Sequence, residues 1–218
     1  MSEKEGDAVG DAVLTSVPTS MYSRAMDTRE RLIESTRTLL WERGYDGTSP
    51  KDIQQQAGAG QGSMYHHFHG KADLALTAID RTAQELRTEV DKQLSGPGSA
   101  LQRITAYLRR ERDVLRGCPI GGLAQDPEVV ADPELRHPLE ETLDWLQERL
   151  ARVIAESQED GDLSIALDPL ATASAIVAVM QGGYVLARAS HDASRFDRAV
   201  SGALALLGVP ARAPSTDQ

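Results

Sequence analysis

The sequence predicts an all-α protein, and three observations carry that prediction. Apolar residues recur at helical spacing along most of the chain. No run alternates β-branched and polar residues over the length of a strand. Aromatic residues make up only 4% of the 218 positions, so a core must be built mostly from Ala, Leu, Val and Ile, which suits closely packed helices. Turn signals divide the chain into some nine helical segments.

Residues 1–23 mix Gly, Ser, Asp, Thr and Pro18 without periodicity and read as a tail. From Asp27 the pattern turns helical. Leu32, Ile33, Leu39 and Leu40 share a face, and Arg43-Gly44 ends the helix, with Gly supplying the left-handed residue. Tyr45-Asp46-Gly47 turns the chain. Thr48 or Ser49 caps a short second helix, PKDIQQQA, with Pro50 at its first position, where no amide hydrogen is needed. Gly58-Ala59-Gly60 connects it tightly to a third short helix over residues 61–68. Gly70 breaks that helix, and Lys71 starts a long fourth one reaching Leu94. SGPGS at 95–99 precedes a fifth helix over 100–116. GCPIGG at 117–122 is a second break, followed by a brief helix around 120–130, and DPEVVADPELRHP reads as a Pro-punctuated acidic loop. A long helix spans 134–159 and is closed by Asp160-Gly161-Asp162. Asp168-Pro169 opens an apolar helix to Ala189, and a last helix over 193–207 ends at Gly208-Val209-Pro210.

Charge is unevenly spread. The chain has a net charge of -10, yet residues 24–74 hold seven acids, seven bases and three of the five histidines. Residues 75–218 hold twenty-two acids against fifteen bases. The first of these segments is the one least repelled by a polyanion. Cys118 is the single cysteine, which excludes an internal disulfide and suits a reducing cytosol. The acidic N-terminus lacks the apolar run of a signal peptide, so a cytoplasmic location is expected. Residues 170–187 approach bilayer-spanning length, but Thr172, Ser174 and Gln181 interrupt them. A helix buried on several sides is the better reading, with no membrane partner.

QGSMYHHFHGK at 61–71 concentrates histidine, aromatic and lysine side chains in an acidic protein. Two short helices joined by a Gly-containing turn, behind a longer one, form a helix-turn-helix. In that geometry the N-terminal half of the second short helix meets base edges in a major groove. Here that half is Gln61, Gly62, Ser63 and Met64. Gln bonds adenine, Ser pairs with several bases, Gly62 lets the backbone come close, and Met64 either reaches a thymine methyl or packs inward. Tyr65 and His66 suit phosphate oxygens, with the Tyr65 ring expected in the core and its hydroxyl at the backbone. Lys71 adds a cation beside free helix-start amides. Lys51 and Arg29 can brush the backbone as well. No set of cysteines or acids at ligand spacing completes a metal site around His66 and His69, and no cofactor is implied.

On these residues the chain resembles the TetR-type transcriptional regulators. The matching stretches are TRERLIESTRTLLWERGYDGTS (28–49), DIQQQAG (52–58) and GSMYHHFHGKADL (62–74). The resemblance implies that Thr48, Tyr65, His66 and Lys71 contact the DNA backbone while Gln61 and Ser63 face bases. It implies that Leu40, Tyr45, Ile53 and Phe68 hold the three helices together. The sequence departs from the family at Gln54 and Gln56, where small residues are usual, at Gly60 and Gln61, where Ser and Lys are common, and at Trp41. RGCPIGGLA at 116–124 resembles the LmrA/YxaF-like branch.

The resemblance further implies an N-terminal DNA-binding domain over 24–74 and a helical domain over 75–211 that binds a small effector and forms a homodimer, followed by a tail at 212–218. Residues 171–187 and 199–207 are rich in small side chains, so the last two helices can approach a symmetry mate closely. A two-fold dimer reads a palindromic double-stranded DNA operator. Tyr107, Cys118, Trp145, Met180, Gln181 and Tyr184 are the large or reactive side chains among many small ones, and they are the candidate pocket for a lipophilic or aromatic effector. The fourth helix is the natural lever between the two parts. The rival reading, an enzyme pairing Cys118 with His137, lacks a third orienting group.

Overall fold

The computed structural model describes residues 19–209. Its helices are α1 (Thr19–Arg43), α2 (Pro50–Ala57), α3 (Gln61–His67), α4 (Lys71–Leu94), α5 (Ala100–Arg109), α6 (Pro127–Ala131), α7 (Pro133–Glu159), α8 (Pro169–Ser190) and α9 (Ser194–Leu206), with a 3-10 turn at Leu123–Gln125. No strand occurs among the described residues. Because α1 begins at Thr19, residues 19–23 belong to a helix and not to the expected tail. The rest of that tail, residues 1–18, and the expected tail at 212–218 lie outside the described residues.

Local chemistry sets the bounds of α2 as anticipated. Ser49 caps α2: its hydroxyl accepts the Asp52 amide at 3.1 Å, while the Asp52 carboxylate accepts the Ser49 N–H at 3.1 Å. Gly58 closes α2 in the left-handed conformation, φ 59°.

Two expectations further along are corrected. The fifth helix stops at Arg109 and not at 116, because Arg112 folds back to donate to the Tyr107 and Leu108 carbonyls at 2.7 and 3.1 Å. A side chain thereby satisfies carbonyls that another helical turn would have used. The acidic stretch read as a loop is helical. Asp126 and Asp132 are N-caps, with Pro127 and Pro133 at the first helical positions of α6 and α7. Each Asp-Pro pair is a start signal, and Pro138 lies buried inside α7.

The core does not divide at residue 74. Leu32, Ile33 and Leu39 of α1, Ile53 of α2, Met64 of α3 and Leu74 to Ile79 of α4 share one cluster with Ile120, Leu123, Val129, Leu135 and Leu139. A second cluster joins Val90 and Leu94 of α4 to Ile104, Tyr107, Leu150, Ile154, Ile176, Met180, Phe196 and Leu204. Helix α4 runs through both, with Leu86 packed against each. Helix α8 is long and apolar enough to cross a membrane by composition alone. In this fold it packs between α7 and α9. Its approach to α9 needs glycine at 183, where a Cβ would stand 2.9 Å from the Phe196 ring. The outer side of α8 leaves Leu170, Val185 and Leu186 exposed, and Leu206 of α9 is 87% exposed.

Candidate nucleic-acid interface

The orientation of α3 follows from two buried anchors. Met64 is 0% exposed, with the Gln54 amide 3.3 Å from its sulfur, so it packs inward and is no groove reader. Gln54, a departure from the family pattern, thus has a packing role. Phe68 is buried as the residue that ends α3, and the Arg29 guanidinium stands 5.3 Å from its ring. With these two residues inward, a 3.6-residue period turns Gln61, Gly62, Tyr65 and His66 outward. All four are exposed, and Ser63 is half-buried. A Cβ on Gly62 would meet nothing within 4 Å, so no contact inside the chain requires glycine there.

Three expected backbone contacts look different in the structure. Thr48 is 1% exposed and its hydroxyl donates to the Gly44 carbonyl at 2.7 Å; it ties the α1–α2 turn together and does not face outward. The Tyr65 ring was expected in the core but is 52% exposed, so ring and hydroxyl both face solvent. Lys71 is half-buried, its ammonium 3.8 Å from the centre of the Tyr45 ring. That cation–π contact fixes the lysine at the start of α4. Lys51 is exposed on α2. His67 is half-buried against Phe68, and desolvation, then His66 and Arg29, hold its pKa below the usual histidine value. The exposed His69 donates its amide hydrogen to the Asp73 carboxylate at 2.8 Å, which lowers the Asp73 pKa.

A link with no local sequence signal joins this unit to the segment 116–126. The buried Asp126 carboxylate accepts four backbone N–H groups. Its Oδ2 takes those of Tyr45 and Asp46 at 2.7 and 3.0 Å, and its Oδ1 takes those of Glu128 and Val129 at 3.1 and 3.4 Å. One side chain thus caps α6 and clamps the α1–α2 turn. Gly44, φ 74°, makes room for it: a Cβ there would lie 2.9 Å from Oδ2. Nearby, the Trp41 indole N–H donates to the Gly117 carbonyl at 2.9 Å. Arg116 lies 3.9 Å over the same ring and pairs with Glu42 at 3.2 Å. Trp41, another departure from the family, is therefore a strut to this segment.

Of the six candidate pocket residues, the structure brings three together. Cys118, Gln181 and Tyr184 line a cavity of about 240 Å³ with Gly121, Gln125 and Arg188. Its walls are more polar than expected. Gln181 comes so near the 117–122 turn that a Cβ on Gly121 would overlap its amide, 2.0 Å from Oε1. Burial pushes the Tyr184 hydroxyl up to about 12. Tyr107 and Met180 belong instead to the second core cluster, and the half-buried Trp145 packs against it. Cys118 accepts the Gly121 N–H at 3.3 Å, whereas His137 pairs with Glu141 at 3.3 Å on the surface of α7. No hydrogen bond joins the thiol to the imidazole. Among the described residues no group of three or more His, Cys, Asp or Glu side chains gathers as metal ligands do.

A short helix held by two buried anchors, with polar side chains turned outward and a separate helical core behind it, defines a helix-turn-helix regulator. Comparison with known proteins specifies which kind. The family model described as "Bacterial regulatory proteins, tetR family" matches residues 32–78, and "Tetracyclin repressor-like, C-terminal domain" matches residues 98–203. Transcriptional regulator AcuR of Cereibacter sphaeroides is 30% identical over 166 residues, covering 73% of this chain and 75% of its own. The regulator LmrA of Bacillus subtilis is 27% identical over 114 residues, 49% of this chain and 61% of its own. The crystal structure of regulatory protein TetR from Rhodobacter sphaeroides aligns with a TM-score of 0.73 at 28% identity, covering 81% of this chain and 96% of that one. The chain belongs to the TetR family of DNA-binding transcriptional regulators, whose members dimerise and carry a ligand-binding C-terminal domain.

Proposed function

We propose that this chain is a cytoplasmic homodimeric repressor that lays α3 of each protomer into one half of a palindromic operator and leaves it when a small effector binds. The observation that carries this reading is the face of α3. Gln61, Gly62 and Ser63 stand at its N-terminal end, where a recognition helix meets base edges, and the exposed Tyr65 and His66 follow with side chains suited to phosphate oxygens. Lys51 on α2 and Lys71 at the start of α4 flank them as further phosphate partners. Thr48 is left out of the set because its hydroxyl is engaged inward. The exposed apolar side of α8 and α9, with Val185, Leu186 and Leu206, supports pairing of two protomers through these helices.

The effector pocket rests on the cavity beside Cys118, Gln181 and Tyr184, with the Tyr184–Phe196 ring pair, 4.7 Å between centroids, suiting the lipophilic or aromatic body of a ligand. A ligand that favours the dimer with displaced α3 helices weakens operator binding by the same factor that operator weakens ligand. Differential affinity of about 3 kcal/mol relaxes binding by roughly a hundredfold. Two routes carry such a shift: α4, through both cores, and the Asp126 clamp on the α1–α2 turn.

The test is to select bound fragments from genomic DNA with purified protein, then follow a reporter from the selected promoter with and without the gene for this chain. Higher output on deletion is expected for a repressor; lower output identifies an activator of the same fold. Output unchanged by any added small molecule from the host points to a regulator without an effector.

A further inference from the structure

Six arginines among the described residues bury an Nε donor that finds no hydrogen-bond partner: Arg87, Arg103, Arg110, Arg112, Arg116 and Arg136. Four of them have a carboxylate within 4.0 Å, respectively Glu141, Glu156, Glu42 and Glu140. Among the described residues, Arg110 and Arg112 have none. Arg112 stands near two aromatic rings, 5.2 Å from the centre of Phe196 and 5.7 Å from that of Tyr107, and burial pushes its pKa down. Arg110 stands at 5.3 Å from the Tyr107 ring. Ring faces and the two carbonyls at the end of α5 compensate part of this charge. A half-buried guanidinium with its Nε shut away and no counter-ion still carries a desolvation cost that an anion would relieve.

Both arginines line a cavity of about 530 Å³ between the end of α5 and α9, floored by Leu108, Val114, Phe196 and Val200. Glu111 and Asp197 stand exposed at its rim beside Arg109, so the lining carries one net positive charge. At 100° per residue, Asp197 and Ser201 lie on one flank of α9 and Gly202 and Leu206 on the other. The cavity therefore opens away from the apolar side through which α8 and α9 are proposed to pair. The Tyr107 side chain, whose ring lies near both guanidinium groups, is 1% exposed.

We propose that this cavity binds a compact organic carboxylate, its anionic end at Arg110 and Arg112 and its hydrocarbon on Leu108, Val114, Phe196 and Val200. Phe196 also touches Tyr184 of the smaller cavity, so an occupant here is felt at the 117–122 turn. That regulatory consequence rests on the proposed function above; the binding itself does not.

The experiment is calorimetry and thermal unfolding of the full-length chain with acetate, hexanoate, decanoate, benzoate and phenylacetate, each beside its primary amide. At least one carboxylate is expected to bind about tenfold or more tightly than its amide, the difference a charge-assisted contact makes. Arg112→Met removes the cap of α5 and risks the fold, so Arg110→Met is the informative variant. It is expected to weaken the carboxylate about tenfold while leaving the amide little changed. Carboxylate and amide binding alike, Arg110→Met binding as the parent does, or no member of the panel binding at millimolar concentration each overturns the proposal. Operator binding measured in parallel separates the two claims: DNA retained without carboxylate binding defeats only this site, and carboxylate binding without any operator defeats only the regulator reading.

Discussion

Replacing Asp126 with alanine is expected to cost more than any other single polar substitution between the helix-turn-helix unit and the second core. The carboxylate accepts the Tyr45 amide at 2.7 Å, the Asp46 amide at 3.0 Å and two amides at the start of α6. Tyr45 is buried, so its orphaned N–H costs about 1–3 kcal/mol. Loss of the α6 cap adds about 1 kcal/mol. Asp46 is exposed and regains water, contributing little. The expected total is about 3 kcal/mol. Urea unfolding at fixed protein concentration measures it as a fall in midpoint of about 1 M with the slope unchanged. Asp126→Asn, which keeps an acceptor oxygen, should lose roughly half as much. A change under about 0.5 kcal/mol for the alanine variant, the level of an ordinary surface substitution, would refute the reasoning.

Other consequences are equally direct. Tyr65→Ala removes an exposed side chain and should leave helix content and midpoint near the parent while operator affinity falls; unchanged affinity in a gel-shift titration tells against the assigned face. Met64→Ala hollows the anchor of α3 and should destabilise by about 2–5 kcal/mol in the same unfolding assay, with a smaller loss arguing that α3 is held otherwise. Asp73 has its pKa lowered by the His69 amide, so its contribution to stability is present above the unfolded value near about 3.9 and lost as pH falls through the lower folded value. The stability gap between parent and Asp73→Asn should thus be present at neutral pH and close in acid; a gap independent of pH contradicts that role.

The elements from α1 to α4 were legible because their punctuation has one meaning each: Ser49 before Pro50, Gly58 in the left-handed region, an apolar face at Leu32, Ile33 and Leu39. The boundary errors came from signals with two meanings. Proline after aspartate reads as a breaker in a loop and as the first residue of a helix, and the same letters served α6 and α7. Arg112 ended α5 through its side chain, an event that periodicity of apolar residues does not encode. The facing of α3 is only partly legible in sequence: Phe68 reads as an anchor, but Met64 is open between groove and core, and the Tyr65 ring, expected inward, lies outward once Met64 is buried. The contact between Asp126 and Tyr45 spans 81 positions, and no local pattern announces it. The structure gathers only half of the expected pocket set around one cavity for a related reason: size singled out Tyr107, Trp145 and Met180, and large apolar side chains serve a core first.

The central claim is that two copies of α3 read one duplex together. Hydroxyl-radical footprinting of the selected operator, combined with mass measurement of the complex, tests it most directly. Protection of two symmetric half-sites about one or two helical turns apart by a dimer, weakened by Gln61→Ala at the base-edge positions, is the predicted result. A single chain protecting one site, or a footprint indifferent to Gln61 and Tyr65, would contradict it.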